Sequence, residues 1–589
     1  MPEMPMVNLN LGHSQVIEEF EAITRDAERV QRETLKEILE RNSSTEYLSK
    51  WGVNGSTDPQ QFKAQVPLST FADIKPYIVR LTEGEQSPLL TTQPISVFSL
   101  SSGTTDGLAK FLPFNDDLLE TTVQIFRISA AYRARLFPLR PGARALEFVY
   151  GSKQIQTKGG FKSCTATSHV FRSELYKKWK ESIQVFPCSP DEVVFGNDSQ
   201  QSLYCHLLCG LLYSNEVQYV QSTFAYSIVD ALRTLEHVWQ ELCSDIKEGK
   251  LSERITVPSM RAAVSKLLKP NPDLADEIYE KCKHNQNWQG IIPQLWPGAK
   301  YIYAIMTGSM ELYLRKLRHY AGNLPLLSAD YGATEGWIAA NIDPTTSPEN
   351  TTFTAVPNFA YFEFIPLHVH LEEWKLDQSV ATAHYTESEP VGLTEVKDGQ
   401  DYEVVVTTFG GLYRYRLGDI VRITGFYNST PQLSYLCRKN LLLTLNIDKT
   451  TEKDLQIAVE KAIRLIKEEN VELVDFTSYA DMSTEPGHYV IFWELNEKIN
   501  ESVLNRCCSI MDESLIDPGY VGSRKANTIG PLELRIVEKG AFRKILDHYL
   551  SLGAAASQFK TPRCVNSNQA LFDILNSCVI QTHFSTFLS

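Results

Sequence analysis

Between residues 95 and 306, short apolar β-like runs (95–100, 145–150, 217–220 and 301–306) alternate with helical patterns (116–135, 226–242 and 259–267). Strands separated by helices pair in parallel and need helices to cover the sheet, so the chain is expected to be α/β, built in layers. From residue 351 the texture changes. Segments 352–356, 361–365, 402–408 and 420–424 carry β-branched or aromatic residues between turn signals, which predicts a β-rich, barrel-like part of the same large domain. A stretch at 425–438 containing Asn428, Ser429, Thr430 and Pro431 reads as a turn-rich connector. Beyond it, helical patterns at 451–467 and 501–515 mix with strand-like runs at 474–479, 489–495 and 532–537, a second α+β pattern. The organisation expected for 589 residues is therefore a large domain at 1–427, a connector or hinge at 428–438 and a smaller domain at 439–589.

Ahead of the first strand, Val16, Phe20, Ile23, Ala27, Val30 and Ile38 recur at helical spacing, which predicts one amphipathic helix over 14–40 with Ser14 as its N-cap. The polar, aperiodic stretch 367–390, with His368, His370 and His384, is expected to be an exposed insertion. With 57 Lys+Arg against 71 Asp+Glu the net charge is −14, which excludes a basic nucleic-acid-binding surface as the default reading. Residues 1–12 lack the pattern of a secretory signal, and apolar runs such as 207–212 fall short of the ~18 residues of a membrane span. A cytoplasmic chain is expected, without nucleic-acid or membrane partners, and a monomer. None of the eleven cysteines sits in a CxxC pair, so they are read as reduced thiols. Cys205, His206 and Cys209 could be imagined as metal ligands, but a buried helix using Cys as a small hydrophobe is the preferred reading.

Three runs carry chemistry. The first, from Ser99 through Ser101, Ser102, Gly103, Thr104 and Thr105 to Asp106, Gly107 and Lys110, follows an apolar strand and offers hydroxyls, close-approaching backbone amides and a lysine to phosphate oxygens. It lacks the register of a P-loop, and taken alone could be a polar turn. The second, Asp330-Tyr331-Gly332-Ala333-Thr334-Glu335-Gly336-Trp337, sets an aromatic, a glycine turn, a hydroxyl and a carboxylate after the apolar run 324–327. The third, Tyr413-Arg414-Tyr415-Arg416-Leu417-Gly418-Asp419, reads as a strand ending in a Gly-Asp turn whose acid could accept ribose hydroxyls, with Arg414 and Arg416 as strand-edge charges.

In this order the three runs resemble the core motifs of ANL-type adenylate-forming enzymes. Acyl-CoA ligases and luciferases of that kind continue Thr-Gly-x-Pro-Lys-Gly after the hydroxyl cluster, whereas here Asp106 precedes Gly107 and Phe111 follows Lys110. That departure is similar to the plant Gretchen Hagen family of acyl-acid amido synthetases. So are Met306-Thr307-Gly308-Ser309-Met310, Leu314-Arg315-Lys316-Leu317-Arg318-His319-Tyr320 and Gln558-Phe559-Lys560-Thr561-Pro562-Arg563-Cys564, and the resemblance covers essentially the whole chain.

The resemblance implies that ATP and a carboxylic acid form an acyl-adenylate and pyrophosphate, and that an amino acid then displaces AMP to give an amide. Ser101, Ser102, Thr104 and Thr105 match phosphate-loop positions, Tyr331 and Gly332 the adenine-contacting run, and Thr334 the α-phosphate hydroxyl. Glu335 matches the acid that helps hold Mg²⁺, Asp419 the ribose-binding acid, and Lys560 the lysine of a mobile C-terminal domain that reaches the adenylation site. Thr122, Phe126, Thr167, Thr223, Ile305 and Trp337 match acyl-site positions, with ordinary core packing as the alternative for each. The chain looks closest to jasmonate-conjugating members. It departs from them at Thr223, where they carry an apolar residue, at Gln221, where they carry an aromatic, and at Ala329, where they carry a histidine. These departures would suit a more polar, hydroxylated acid. The competing expectations are an auxin- or benzoate-type amido synthetase, an acyl-CoA ligase, and a binding protein that sequesters the acid.

Overall fold

In the computed structural model five strands run parallel in the order Val185–Pro187, Ala143–Phe148, Val217–Phe224, Ile302–Ile305 and Leu326–Ser328. The structure describes all residues except 1–8, 10, 54, 106–107, 152–153, 368–387, 440, 446–447, 449, 553–555, 557–558, 567 and 588–589. For 101–105, 108–109, 441–442 and 518 it describes the backbone alone. The insertion expected at 367–390 thus lies almost wholly outside the described residues.

One face of the parallel sheet, bearing Leu146, Phe148, Val220, Ile302 and Ala304, packs in a core with the helices Ser199–Leu212, Ala225–Glu248 and Leu314–Ala321. The Ala225–Glu248 helix contributes Ile228, Val229, Leu232, Leu235, Leu242 and Ile246, a stripe of period 3.6. Each such buried side chain is worth about 1.5–3 kcal/mol of transfer free energy. The other face carries Ala145, Tyr219, Tyr301 and Leu327 in a smaller cluster.

A second sheet is antiparallel and eight-stranded, in the order Tyr331–Ala333, Gly336–Ala340, Phe353–Ala355, Thr430–Arg438, Tyr415–Tyr427, Asp401–Thr407, Tyr361–Pro366 and Val391–Gly392. A four-stranded sheet joins Leu108–Phe114, Val97–Thr105, Lys162–Cys164 and Ile155–Gln156. The C-terminal part has its own sheet, Leu473–Asp481, His488–Leu495, Glu533–Val537 and Val579–Phe584, with helices Glu452–Glu468 and Glu501–Ser514. By internal contacts the chain divides into a larger unit of Met1–Ser101, Lys110–Tyr435 and Ala555–Gln558 and a smaller one of Ser102–Ala109, Leu436–Ala554 and Phe559–Ser589. Among the described residues no helix is long and apolar enough to cross a membrane.

Two expectations from the sequence are corrected here. The helix expected over 14–40 is two helices, His13–Arg25 and Ala27–Arg41, and the first is capped at Gly12 rather than Ser14. Asp26 leaves the helical region at φ −128°, and the Ala27 amide donates to the Ser429 hydroxyl, 3.1 Å away. A side chain 402 positions along thus caps the second helix. The stretch 425–438 is no irregular connector: Tyr415–Tyr427 and Thr430–Arg438 are neighbouring strands joined by Asn428 and Ser429, with Asn428 at φ +54°. Asparagine tolerates that left-handed conformation, so the polar cluster is a hairpin turn.

The Cys205-His206-Cys209 segment lies in the buried Ser199–Leu212 helix. Both His206 ring nitrogens are engaged, Nδ1 with Ser189 Oγ at 2.7 Å and Nε2 with Val149 O at 3.0 Å. Burial pushes the Cys209 thiol up to about 12 and holds the His206 imidazole down at about 4. A depressed histidine pKa means the unfolded chain takes up the proton first. Stability conferred by neutral His206 is therefore full above pH 6.5 and is lost as pH falls toward 4, by up to about 3 kcal/mol. Urea midpoints at pH 7 and 4.5 are expected to fall further for the wild type than for His206→Gln; parallel losses would show that His206 is not the group responsible.

Candidate active site

The Tyr331–Ala333 and Gly336–Ala340 strands form a tight hairpin in which Ala333 pairs with Gly336, leaving Thr334 and Glu335 as the two-residue tip, both half-buried. Gly336 sits at φ +146°, and a Cβ there would lie 2.3 Å from Phe359, so the tip requires glycine. Gly332 plays the matching part across the hairpin, where a Cβ would meet the Trp337 ring at 3.0 Å. Tyr331 is buried, with its ring 5.9 Å from Phe353 and 5.9 Å from Tyr435, and its hydroxyl donates to Asp419 Oδ2 at 2.8 Å. Three strands intervene between those two in the hydrogen-bonded order. Flat strands would hold them four spacings of about 4.8 Å apart, so the sheet must curl to bring them into contact.

Asp419 does not end a strand, as expected from its Gly-Asp pair. It lies inside Tyr415–Tyr427, at a bulge where Glu403 pairs with Ile420 but Val405 with Arg416. Gly418, at φ +73°, supplies the left-handed residue of that bulge, which turns the 2% exposed Asp419 toward Tyr331. Arg414 and Arg416 are not strand-edge charges either. Arg414, 5% exposed, meets Glu363 through two 2.9 Å bonds and donates to the Lys63 and Val66 carbonyls at 2.7 and 2.8 Å. Arg416 forks onto buried Glu403 at 2.9 and 2.6 Å. Opposite charge, on the adjacent strand for Arg416 and one strand further on for Arg414, is what permits their burial.

The acyl-site candidates fall into two groups. Phe126, on the Asp116–Leu136 helix, meets the Trp337 ring edge-on at 5.3 Å and lies 6.3 and 6.4 Å from Tyr176 and Trp179. Thr122, one turn earlier, is fully buried and bonded to its own helix, donating to Leu118 O at 2.6 Å, so it offers a methyl surface. Thr167 is buried in the first turn of the Ala166–Arg172 helix. Thr223 and Ile305 lie at the carboxyl ends of adjacent parallel strands, where ligands of α/β sheets bind. The Val217–Phe224 strand bulges there, since Gln221 pairs with Tyr303 but Phe224 with Ile305. The buried Thr223 Oγ1 has no hydrogen-bond partner among the described residues.

Sequence reasoning missed Tyr176 and Trp179, although their spacing on the Glu174–Ser182 helix was visible, and it missed the polar network below them. Lys180 Nζ lies 2.9 Å from both Glu147 Oε1 and Tyr219 OH. Burial alone would lower that ammonium's pKa, but Glu147 and the Tyr219 hydroxyl outweigh it and raise it. Asp330 accepts from Tyr303 OH at 3.1 Å and Asn341 N at 2.9 Å, and from Ser129. Burial raises its pKa while Arg133 holds it back.

Ser101, Ser102, Thr104 and Thr105 lie in the Val97–Thr105 strand rather than in a loop, in keeping with the β preference of threonine, and Asp106 and Gly107 are outside the described residues. Lys110 stands 5.2 Å from the centre of the Phe71 ring. Lys560 is exposed on the smaller unit. Among the described residues, a cluster of metal-binding type is formed by Asp481, His488 and Glu533. Arg535 binds both Glu533 oxygens at 2.7 and 2.9 Å and lies 3.7 Å from Asp481, so a guanidinium already fills that cluster.

Profiles of the N-terminal, central and C-terminal domains of the GH3 family match residues 16–326, 353–438 and 453–569. The chain is 58% identical to a jasmonoyl–L-amino acid synthetase of Nicotiana attenuata, with 97% of each chain covered. It is 50% identical to an indole-3-acetic acid-amido synthetase of Arabidopsis thaliana, covering 98% of this chain and 99% of that one. A solved GH3 acyl acid amido synthetase superposes with a TM-score of 0.88 at 37% identity, covering 100% and 99%.

Proposed function

We propose, from the premise that this chain belongs to the GH3 family and is an amide-forming acid–amino acid ligase, that it uses ATP to activate a jasmonate-like acid for conjugation. The observation carrying this reading is the end-to-end similarity to a jasmonoyl–L-amino acid synthetase, joined to the Tyr331–Asp419 contact beside the Thr334–Glu335 tip.

The acid's carboxylate oxygen attacks the α-phosphorus of ATP, and pyrophosphate leaves. A poor electrophile has become a mixed anhydride with a good leaving group. The amine of the amino acid then attacks its carbonyl carbon, AMP departs and the amine loses a proton. Ser101, Ser102, Thr104 and Thr105 offer hydroxyls to the phosphates, Thr334 to the α-phosphate, and Asp419, held by Tyr331, accepts ribose hydroxyls. Glu335 and Thr334 are hard oxygen donors at one hairpin tip, and one carboxylate with substrate phosphates is a donor set that suits Mg²⁺. When bound, Mg²⁺ neutralises phosphate charge. Lys560, the counterpart of the family's C-terminal lysine, would supply the positive charge that stabilises the charge developing at the α-phosphorus. A cytoplasmic location, where ATP and amino acids are plentiful, fits this chemistry.

Pyrophosphate release with a panel of jasmonate, hydroxylated jasmonate, indole-3-acetate and benzoate tests the reading, and jasmonate-type acids are expected to give the highest kcat/KM. Preference for indole-3-acetate would overturn it. The hydroxylated acid is favoured by the buried Thr223 Oγ1 at the strand end, which has no hydrogen-bond partner among the described residues. Thr223→Val is expected to move the ratio of kcat/KM toward the unsubstituted acid by about fivefold, the ~1 kcal/mol scale of one neutral hydrogen bond. An unchanged ratio would remove Thr223 from substrate recognition.

A further inference from the structure

We propose that Asp475 is a positioning residue for adenylation, acting through Lys560, and this rests on the reading of Lys560 given above. The segment around Lys560 lies along the Leu473–Asp481 strand as a short parallel addition, with Ser478 bridging to Cys564. Ser478 N donates to Arg563 O at 3.0 Å, and Val565 N returns to Ser478 O at 2.9 Å. Burial alternates along it: Phe559, Thr561, Arg563 and Val565 are buried, whereas Lys560 is exposed. That is the period of an extended strand, which sends Lys560 to the face opposite its neighbours. Pro562 reinforces it, because the residue preceding a proline is held out of the helical region.

Asp475 pins the inward face. The carboxylate is 2% exposed, its Oδ2 accepts from Thr561 Oγ1 at 2.5 Å, and its Oδ1 lies 2.6 Å from Arg563 Nη1. One side chain therefore holds the residues one and three places after Lys560, both on the face that Lys560 leaves. Arg563 Nη1 also donates to Phe476 O at 2.6 Å, its guanidinium lies 4.4 Å from the centre of the Phe476 ring, and Thr477 Oγ1 donates to Pro562 O at 2.6 Å. A strand shifted by one residue would turn Lys560 inward and Thr561 out, and Asp475 binds only the register that presents the ammonium. A lysine that must meet charge developing at one phosphorus depends on such placement, since misplacement of about 1 Å can cost ~100-fold.

The experiment compares Asp475→Asn, Thr561→Val, Lys560→Ala and the combinations of the first two with Lys560→Ala, all in the full chain. Adenylation is followed by pyrophosphate release with jasmonate, and aminolysis by single turnover of chemically made jasmonoyl-adenylate. Asp475→Asn keeps the side-chain volume. Thr561→Val breaks one of the two pins and strands no charge, so it serves should the first variant fold poorly. Asp475→Asn is expected to lower kcat for adenylation about 10- to 100-fold, with KM for ATP and aminolysis little changed. Thr561→Val is expected to lower it several-fold, and Asp475→Glu to restore part of the loss. In the Lys560→Ala background neither substitution should slow adenylation further, because the group they position is gone. Additive losses in that background, or equal loss in both half-reactions, would overturn the inference alone. Intact adenylation in Lys560→Ala would instead overturn the reading of Lys560 and this inference with it.

Discussion

Lys560→Ala is expected to slow acyl-adenylate formation about 10²- to 10³-fold, the scale of removing one preorganised donor from a developing charge, while leaving aminolysis of a supplied acyl-adenylate nearly normal. Attack of a carboxylate on the α-phosphorus brings a second negative charge onto a centre that already bears one, and a cation there stabilises the transition state more than the ground state. In aminolysis the attacking amine is neutral and the phosphate is already ester-bound, so the same ammonium has less to do. Lys560 belongs to the compact unit that includes Leu436–Ala554 and Phe559–Ser589, whereas Tyr331 and Asp419 belong to the larger one. The proposed role therefore requires the smaller unit to bring Lys560 to the adenylation site, and we propose that this placement changes before amide formation, as two-domain ligand closure does elsewhere. The check is pyrophosphate release set beside single-turnover amide formation from chemically made acyl-adenylate. Equal loss in both steps would mean that Lys560 supports the fold or both states, and the proposed movement would have to be dropped.

Arg414→Ala is expected to destabilise the larger unit by about 3–5 kcal/mol. Glu363 is 1% exposed and both of its oxygens are taken by Arg414, so truncation leaves a buried carboxylate without its cation, and it also strands the Lys63 and Val66 carbonyls. The penalty is a desolvated charge more than a lost attraction. Accordingly, Arg414→Met combined with Glu363→Leu is expected to recover much of the loss, as apolar pairs of similar volume do elsewhere. Urea unfolding of the single and double variants reads this directly. A double variant no more stable than Arg414→Ala would assign the loss to the carbonyl contacts instead. Arg414 immediately precedes the strand that carries the Asp419 bulge, so the single variant is also expected to weaken ATP binding before it unfolds.

The features legible in the sequence are those set by neighbours along the chain. The helical pattern at 226–242 and the apolar runs at 145–150, 217–220 and 301–306 could be read because a helix repeats its apolar face every 3.6 residues and a strand buried on both faces reads as a short apolar run, whatever lies opposite. The motifs around Tyr331 and Lys560 were visible as residue types in order, which is enough for a resemblance. A pair of residues brought together by folding leaves no such local trace. Arg414 and Arg416 look like surface charges until Glu363 and Glu403 are known to meet them from other strands of the same sheet. Asp419 looks like a turn until the bulge opposite Val405 aims it at a hydroxyl 88 positions away. The break at Asp26 depends on Ser429, and the placement of Lys560 on an aspartate 85 residues before it. Local sequence determined the segments with a strong helical or apolar pattern and the order of residue types in the motifs. The tertiary structure alone decided which charges were buried and where the polar side chains pointed, because burial and pairing depend on what each group meets across space.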